Sequence, residues 1–163
     1  MGSASIPDEP THFNATIILG LSLNAQQKLL PCFEPGPLLQ GVESALHELS
    51  RSLRIHILTG DTFGLARTAL IKTPWDPIIL PTEDQAGEKL RYVEKLGGER
   101  CVAIGNGRND RLMLKAAALG IAVMQQEGAA VEAVLAADVV VPDIGAAFGL
   151  LLQTRRLIAT LRS

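Results

Sequence analysis

Three polar stations in this chain stand next to apolar runs: Thr59-Gly60-Asp61 behind Ile55 to Leu58, Lys89 on a helical pattern that begins near Thr82, and Asn106 with Asp110 behind Cys101 to Ile104. The most informative stretch is Val102 to Met124, VAIGNGRNDRLMLKAAALGIAVM. Its apolar run breaks on Gly105-Asn106-Gly107 and reaches Asp110 before a helical pattern expected to end near Gly120. The polar side chains therefore fall where a strand meets a loop and a helix. In an open α/β sheet that edge is where ligands bind, so the three stations are candidates to converge on one ligand. Two nucleotide signatures are absent: Asp110 stands where a dinucleotide fingerprint has its third glycine, and no GKS or GKT marks a P-loop. Each station taken alone also has a plain reading. TGD is an ordinary helix-capping turn, Lys89 fits a solvated helix face, and GNG is a common tight loop.

The elements that must position these residues alternate between strand and helix. Ala15 to Leu19, Arg54 to Leu58, Pro77 to Leu80, Cys101 to Ile104, Ile121 to Val123 and Asp138 to Val141 read as short apolar strands buried on both faces. Val42, Ala45, Leu46 and Leu49 recur at helical spacing against Glu43, His47, Glu48 and Arg51. Ala86, Leu90, Val93 and Leu96 repeat the pattern behind a Thr82-x-x-Gln85 capping box. Connections too long for hairpins imply right-handed crossovers, and hence an α/β fold with a mainly parallel sheet covered on both faces. Ser22 to Gln40, with Pro31, Pro35, Gly36 and Pro37, reads as a loop crossing the sheet edge. The C-terminal stripe of Leu150, Leu151, Leu152, Leu157, Ile158 and Leu161 is expected to close the domain's own core; the competing reading is an exposed partner helix with Arg155, Arg156 and Arg162.

Composition bounds the function. A chain of 163 residues fits one domain and can bury about two-thirds of its unfolded surface. Residues 1–10 read as a flexible polar leader and 11–163 as a single domain. A charged content of 20% with a net charge of -2 leaves no electrostatic footprint for nucleic acid and no polybasic patch for a membrane. The apolar runs fall far short of the ~20 residues of a membrane span, and no basic segment followed by an apolar core opens the chain. A cytoplasmic protein is expected, with a small-molecule or protein partner. Cys32 and Cys101 are isolated, without CxxC or partner-histidine spacing, and Cys101 is expected to be a buried thiol.

Taken in order, the segments resemble the phosphorylation domain of P-type ATPases and its soluble relatives in the haloacid dehalogenase superfamily. Ile57-Leu58-Thr59-Gly60-Asp61 is similar to the strand-plus-TGD motif, Glu88 to Leu96 to the lysine helix, and Gly105-Asn106-Gly107-Arg108-Asn109-Asp110 to the GDGxND loop. Gly120-Ile121-Ala122-Val123 and Ala136 to Val141 also fall in family order. The resemblance implies a Rossmann-like fold without a large cap domain. It also implies a mechanism in which a carboxylate at the end of the first strand attacks phosphorus, a Thr and a Lys hold the transferred oxygens, and acidic groups hold Mg²⁺. By that resemblance Thr59, Gly60, Lys89 and Asn109 are the phosphate-binding candidates, and Asp110 with Asn106 the metal candidates. Asn106 stands where P-type ATPases usually have Asp and supplies no charge.

The first motif departs from this pattern. Ile17-Ile18-Leu19 runs into Gly20-Leu21-Ser22-Leu23-Asn24, so Gly20 falls in the nucleophile slot and Ser22 in the acid/base slot. Glycine cannot form an acyl phosphate, and serine is a poor general acid or base without an activating neighbour. His12-Phe13-Asn14-Ala15-Thr16 mimics D-F-N-G-T, but its apolar strand follows the motif instead of preceding it; Asp8 and Glu9 lie in a Pro-flanked leader. Mg²⁺ is then expected to be weakly bound or absent, and an anion to sit between Thr59, Lys89 and the loop amides because a competing carboxylate is missing. The implied function is a capless binding or regulatory module that has lost phosphatase chemistry, with a small phosphorylated ligand or inorganic phosphate and homo-oligomerisation as partner expectations. The rival is a Mg²⁺-dependent phosphatase with another nucleophile, such as His12 or an activated water.

Overall fold

The computed structural model describes residues 15–21, 37–60, 73–125 and 128–162. Six parallel strands form one sheet among them: β1 (Thr16–Leu21), β2 (Arg54–Thr59), β3 (Pro77–Ile79), β4 (Cys101–Gly105), β5 (Leu119–Val123) and β6 (Val139–Val141). Their spatial order is β3-β2-β1-β4-β5-β6. The chain builds outward from β1 in one direction, then returns to start again at β4 on the other side. The order therefore reverses between β1 and β4, which is where a doubly wound sheet opens a crevice at its carboxyl edge. Gly20 and Gly105 stand at that reversal, one position beyond the paired residues Leu19 and Ile104.

Period-two alternation divides the strand side chains between two cores. Ile17, Leu19, Ile57, Ile104, Ile121, Val139 and Val141 face α1 (Pro37–Ser50) and α5 (Ile144–Leu152), meeting Leu46, Leu49, Ala147 and Phe148. Ile18, Leu58, Cys101 and Ala103 face α2 (Gln85–Leu96), α3 (Arg111–Ala116) and α4 (Val131–Ala136), meeting Tyr92, Val93, Met113, Leu114 and Ala133. Both faces are covered, as the uninterrupted apolar strands require. Among the described strand residues, the exposed ones are Ile79 and Val140, both on edge strands.

Three boundaries differ from the sequence-based expectation. Helix α1 begins at Pro37, inside the span read as a loop through Gln40. Proline fits the first helical turn because its missing N–H would have no intrahelical acceptor there. Residues 22–36 lie outside the described ones. The helix after Asp110 ends at Ala116, and Gly120 belongs to β5 instead of closing that helix. A β-carbon at Gly120 would collide with the Leu114 carbonyl oxygen, so this glycine permits close helix–strand approach, not a helix stop. The C-terminal stripe divides: Leu150, Leu151 and Leu157 pack on the core, whereas Leu152 and, on α6 (Thr154–Leu161), Ile158 and Leu161 are exposed.

Two ionisable groups are sealed in the α2-side core. The Tyr92 hydroxyl lies 2.7 Å from His56 Nδ1, and burial pushes its pKa from 10.0 up to about 12. The Cys101 thiol lies 3.3 Å from the Gly97 carbonyl, and burial together with Glu99 pushes it from 9.0 up to about 11. This confirms the expected buried thiol. Both folded pKa values are raised, so the unfolded chain releases these protons first and stability is lost as pH rises. Urea-unfolding midpoints should hold steady below about pH 8 and fall between about pH 9 and about pH 12; a midpoint unchanged across that alkaline window would contradict this burial.

Candidate functional site

Because the strands are parallel, the carboxyl ends of β1, β2 and β4 share one edge, and β1 lies between the other two. Thr59 closes β2 opposite Leu21, Gly20 precedes Leu21, and Gly105 closes β4. Helix α2 reaches this edge from the side. Its N-cap is Asp84, in the left-handed region at φ 50°, whose carboxylate accepts from the Gly87 amide at 3.2 Å. The Thr82-x-x-Gln85 capping box is therefore corrected. Asp84 takes the capping role, which frees Gln85 to accept through Oε1 from Asn109 Nδ2 at 2.7 Å.

One turn beyond Gln85, on the same helix face, Lys89 is fully buried. The solvated-face reading of this lysine is overturned. Its Nζ donates to Asp110 Oδ1 at 2.6 Å, and Asp110 is equally buried. Asp110 Oδ2 accepts from the Asn106 and Gly107 amides at 3.1 Å and 2.9 Å. A buried charge without a partner is costly, and removing one member of such a pair typically costs about 3–5 kcal/mol.

The Asp110 carboxylate is held between two glycines. A β-carbon at Gly20 would overlap Asp110 Oδ1 and lie 2.7 Å from Met113 Cε. A β-carbon at Gly105 would lie 2.5 Å from Asp110 Cγ. Position 20, expected from the resemblance to be the nucleophile slot, thus holds no side chain of its own, and the space beside it is filled by a carboxylate from the neighbouring loop. Ser22, Asp61, His12, Asp8, Glu9 and Cys32 lie outside the described residues.

The structure brings Gly20, Thr59, Lys89, Asn106 and Asp110 to one edge and pairs two of them, Lys89 and Asp110, with each other. The expected anion between Thr59, Lys89 and the loop amides meets a competing carboxylate after all, because Asp110 already takes the ammonium and both amides. Thr59 remains: it is 1% exposed, and its Oγ1 has no hydrogen-bond partner among the described residues. Asn106 turns Nδ2 toward the Gly128 carbonyl at 3.4 Å and accepts at its own carbonyl from the Ala130 amide at 2.8 Å. Asn109 is directed to Gln85, and the Gln85 amide occupies the space a Gly60 side chain would need.

Magnesium requires near-octahedral oxygen ligands at about 2.0–2.1 Å. Both Asp110 oxygens are engaged, Gly20 offers no side chain, and no group of three His, Cys, Asp or Glu side chains is placed to hold a metal among the described residues. The described donors in this arrangement do not fit a magnesium site.

Outside the buried pair lies an open cleft of about 480 Å³, lined in part by Thr82, Gln85, Gly107, Arg108, Asn109 and Arg111. Arg108 is tied to Glu132 at 2.8 Å, linking the loop to α4. Sequence reasoning missed Gln85 and Gly105 as site residues. Gln85 was legible in principle, since it lies four residues before Lys89 on one helix face.

Comparisons with known proteins agree with the fold. A family model described as haloacid dehalogenase-like hydrolase matches residues 85–144. An uncharacterized protein of Methanocaldococcus jannaschii is 49% identical over 78 residues, covering 45% of this chain and 84% of the relative. A crystal structure of 3-deoxy-D-manno-octulosonate 8-phosphate phosphatase from Moraxella catarrhalis, in complex with magnesium, phosphate and KDO, aligns with a TM-score of 0.62 at 16% identity. That alignment covers 93% of this chain and 94% of the phosphatase, and at such identity the likeness is one of fold. The catalytic domain of the CPx-ATPase CopB-B aligns with a TM-score of 0.57 at 25% identity, covering 68% of this chain and 44% of that one. Among the described residues no helix is long and apolar enough to cross a membrane.

The two-glycine cradle makes a contrast between helix and strand glycines testable. Gly105→Ala should destabilise the fold by about 1–3 kcal/mol, because the new methyl must displace Asp110. Gly41→Ala, on α1 with nothing within 4 Å of the new methyl, should instead stabilise by roughly 0.5–1 kcal/mol. Urea denaturation measures both; equal effects of the two substitutions would argue against a tightly held Asp110.

Proposed function

The chain belongs to the haloacid dehalogenase superfamily, and on that footing we propose that it is a member without aspartyl-phosphate chemistry, serving as a binding or regulatory module. The observation that carries this reading is the placement of Asp110 against Gly20. Nucleophilic transfer needs a carboxylate oxygen free to attack phosphorus from the end of β1. Gly20 supplies none. The carboxylate that fills its place engages Lys89 through one oxygen and two backbone amides through the other, so its lone pairs point at donors and not at an incoming phosphorus.

A small phosphorylated ligand or inorganic phosphate is the partner class this reading favours. Its support is chemical: the Thr59 hydroxyl is buried, without a partner among the described residues, at the sheet edge where Lys89 and two loop amides would face an anion once Asp110 is displaced, and the structurally similar Moraxella catarrhalis phosphatase is in complex with phosphate. The Thr59 hydroxyl also favours a second reading, in which a substrate oxygen takes that partner and a nucleophile other than residue 20 performs a magnesium-dependent hydrolysis.

A panel of phosphate esters, assayed with and without Mg²⁺, separates the two. Turnover by the full chain should stay at the buffer blank and be indistinguishable from Lys89→Ala. Hydrolysis that requires Mg²⁺ and disappears in both Lys89→Ala and Asp110→Ala would establish the phosphatase instead.

A further inference from the structure

We infer that Lys89 and Asp110 close this site as an internal salt, in which the ammonium supplies the counter-charge a divalent cation would give Asp110 and the carboxylate takes the loop amides an oxyanion would use. This inference rests on the non-hydrolytic reading above and names how that site is regulated. The two ions are fully buried and 2.6 Å apart, and the remaining carboxylate oxygen is held by the Asn106 and Gly107 amides. No solvent-facing oxygen of Asp110 is left for a metal.

Glycine at position 20 has a second consequence. A side chain there would overlap Asp110 Oδ1, so the substitution that removes a nucleophile is also what makes room for the lock. Charge balance points the same way. A buried lysine without a carboxylate from β1 still needs a counter-ion, and Asp110 provides it from the loop. The site is therefore indifferent to Mg²⁺ and refuses oxyanions until Asp110 is displaced. Displacement reaches the surface by a short route, because the same loop is joined to the start of α4 by the Asn106 carbonyl at Ala130 and by Arg108 at Glu132.

Thermal unfolding of the full chain tests this with MgCl₂ and sodium phosphate, each against NaCl at equal ionic strength. A ligand raises the midpoint only by binding the folded state in preference to the unfolded one. The unaltered protein should respond to neither. Asp110→Asn leaves Lys89 without its counter-ion and vacates the anion's place, so phosphate at a few times its dissociation constant should raise the midpoint by about 2–4 °C. Gly20→Ala, which keeps every charge and pushes Asp110 aside, should respond to phosphate in the same direction and serves if Asp110→Asn does not fold. A saturable Mg²⁺ stabilisation of the unaltered protein, or no phosphate response in either variant, overturns the internal salt. Failure of the functional reading looks different: ester hydrolysis by a protein that Mg²⁺ does not stabilise would sink that reading and leave the salt standing.

Discussion

Burying an ammonium and a carboxylate at the end of a parallel sheet imposes one constraint, that each must have the other as its partner once water is excluded. Lys89 comes from the first turns of α2 and Asp110 from the loop after β4, and neither has water to fall back on. Their meeting fixes the approach of α2 to the sheet edge and the path of residues 105–110. It also fixes which residues can border the pair. Gly20 and Gly105 are required by volume, since any β-carbon at either place intrudes on the carboxylate. The Asn106 and Gly107 amides satisfy the oxygen that Lys89 does not reach, so the pair is paid for in hydrogen bonds as well as charge.

Much of this architecture was legible because its signals are periodic. All six strands appear where apolar runs placed them, and the apolar face of α1 is the one that Val42, Leu46 and Leu49 announced. The errors came where one residue type serves two purposes. Asp84 and Thr82 are both competent helix caps; Asp84 takes the role, and the Gln85 side chain goes to Asn109. Gly120 resembles a helix stop but is a strand residue chosen for closeness to Leu114. Pro37 punctuates a loop in sequence and opens a helix in space.

The site was half legible for a related reason. Motif spacing located Thr59, Lys89, Asn106 and Asp110 at one edge, but spacing carries no information about which group satisfies which. Lys89 and Asp110 were assigned to a phosphate and a metal respectively, and the fold pairs them with each other. That pairing depends on a missing side chain at position 20, a volume effect visible only in three dimensions. A shared fold does not by itself carry a shared reaction. The loop and lysine helix, both within the residues matched by the haloacid dehalogenase-like hydrolase model, surround an edge where Lys89 and Asp110 are paired with each other.

The most direct measurement is a double-mutant cycle on that pair, with Lys89→Met, Asp110→Asn and the combined variant compared by urea denaturation. If the pair organises the site, each single substitution strands a buried charge and costs about 3–5 kcal/mol, while the double variant costs far less than their sum. Single effects that simply add, within about 0.5 kcal/mol, would contradict the central claim that Lys89 and Asp110 hold each other and the strand ends together.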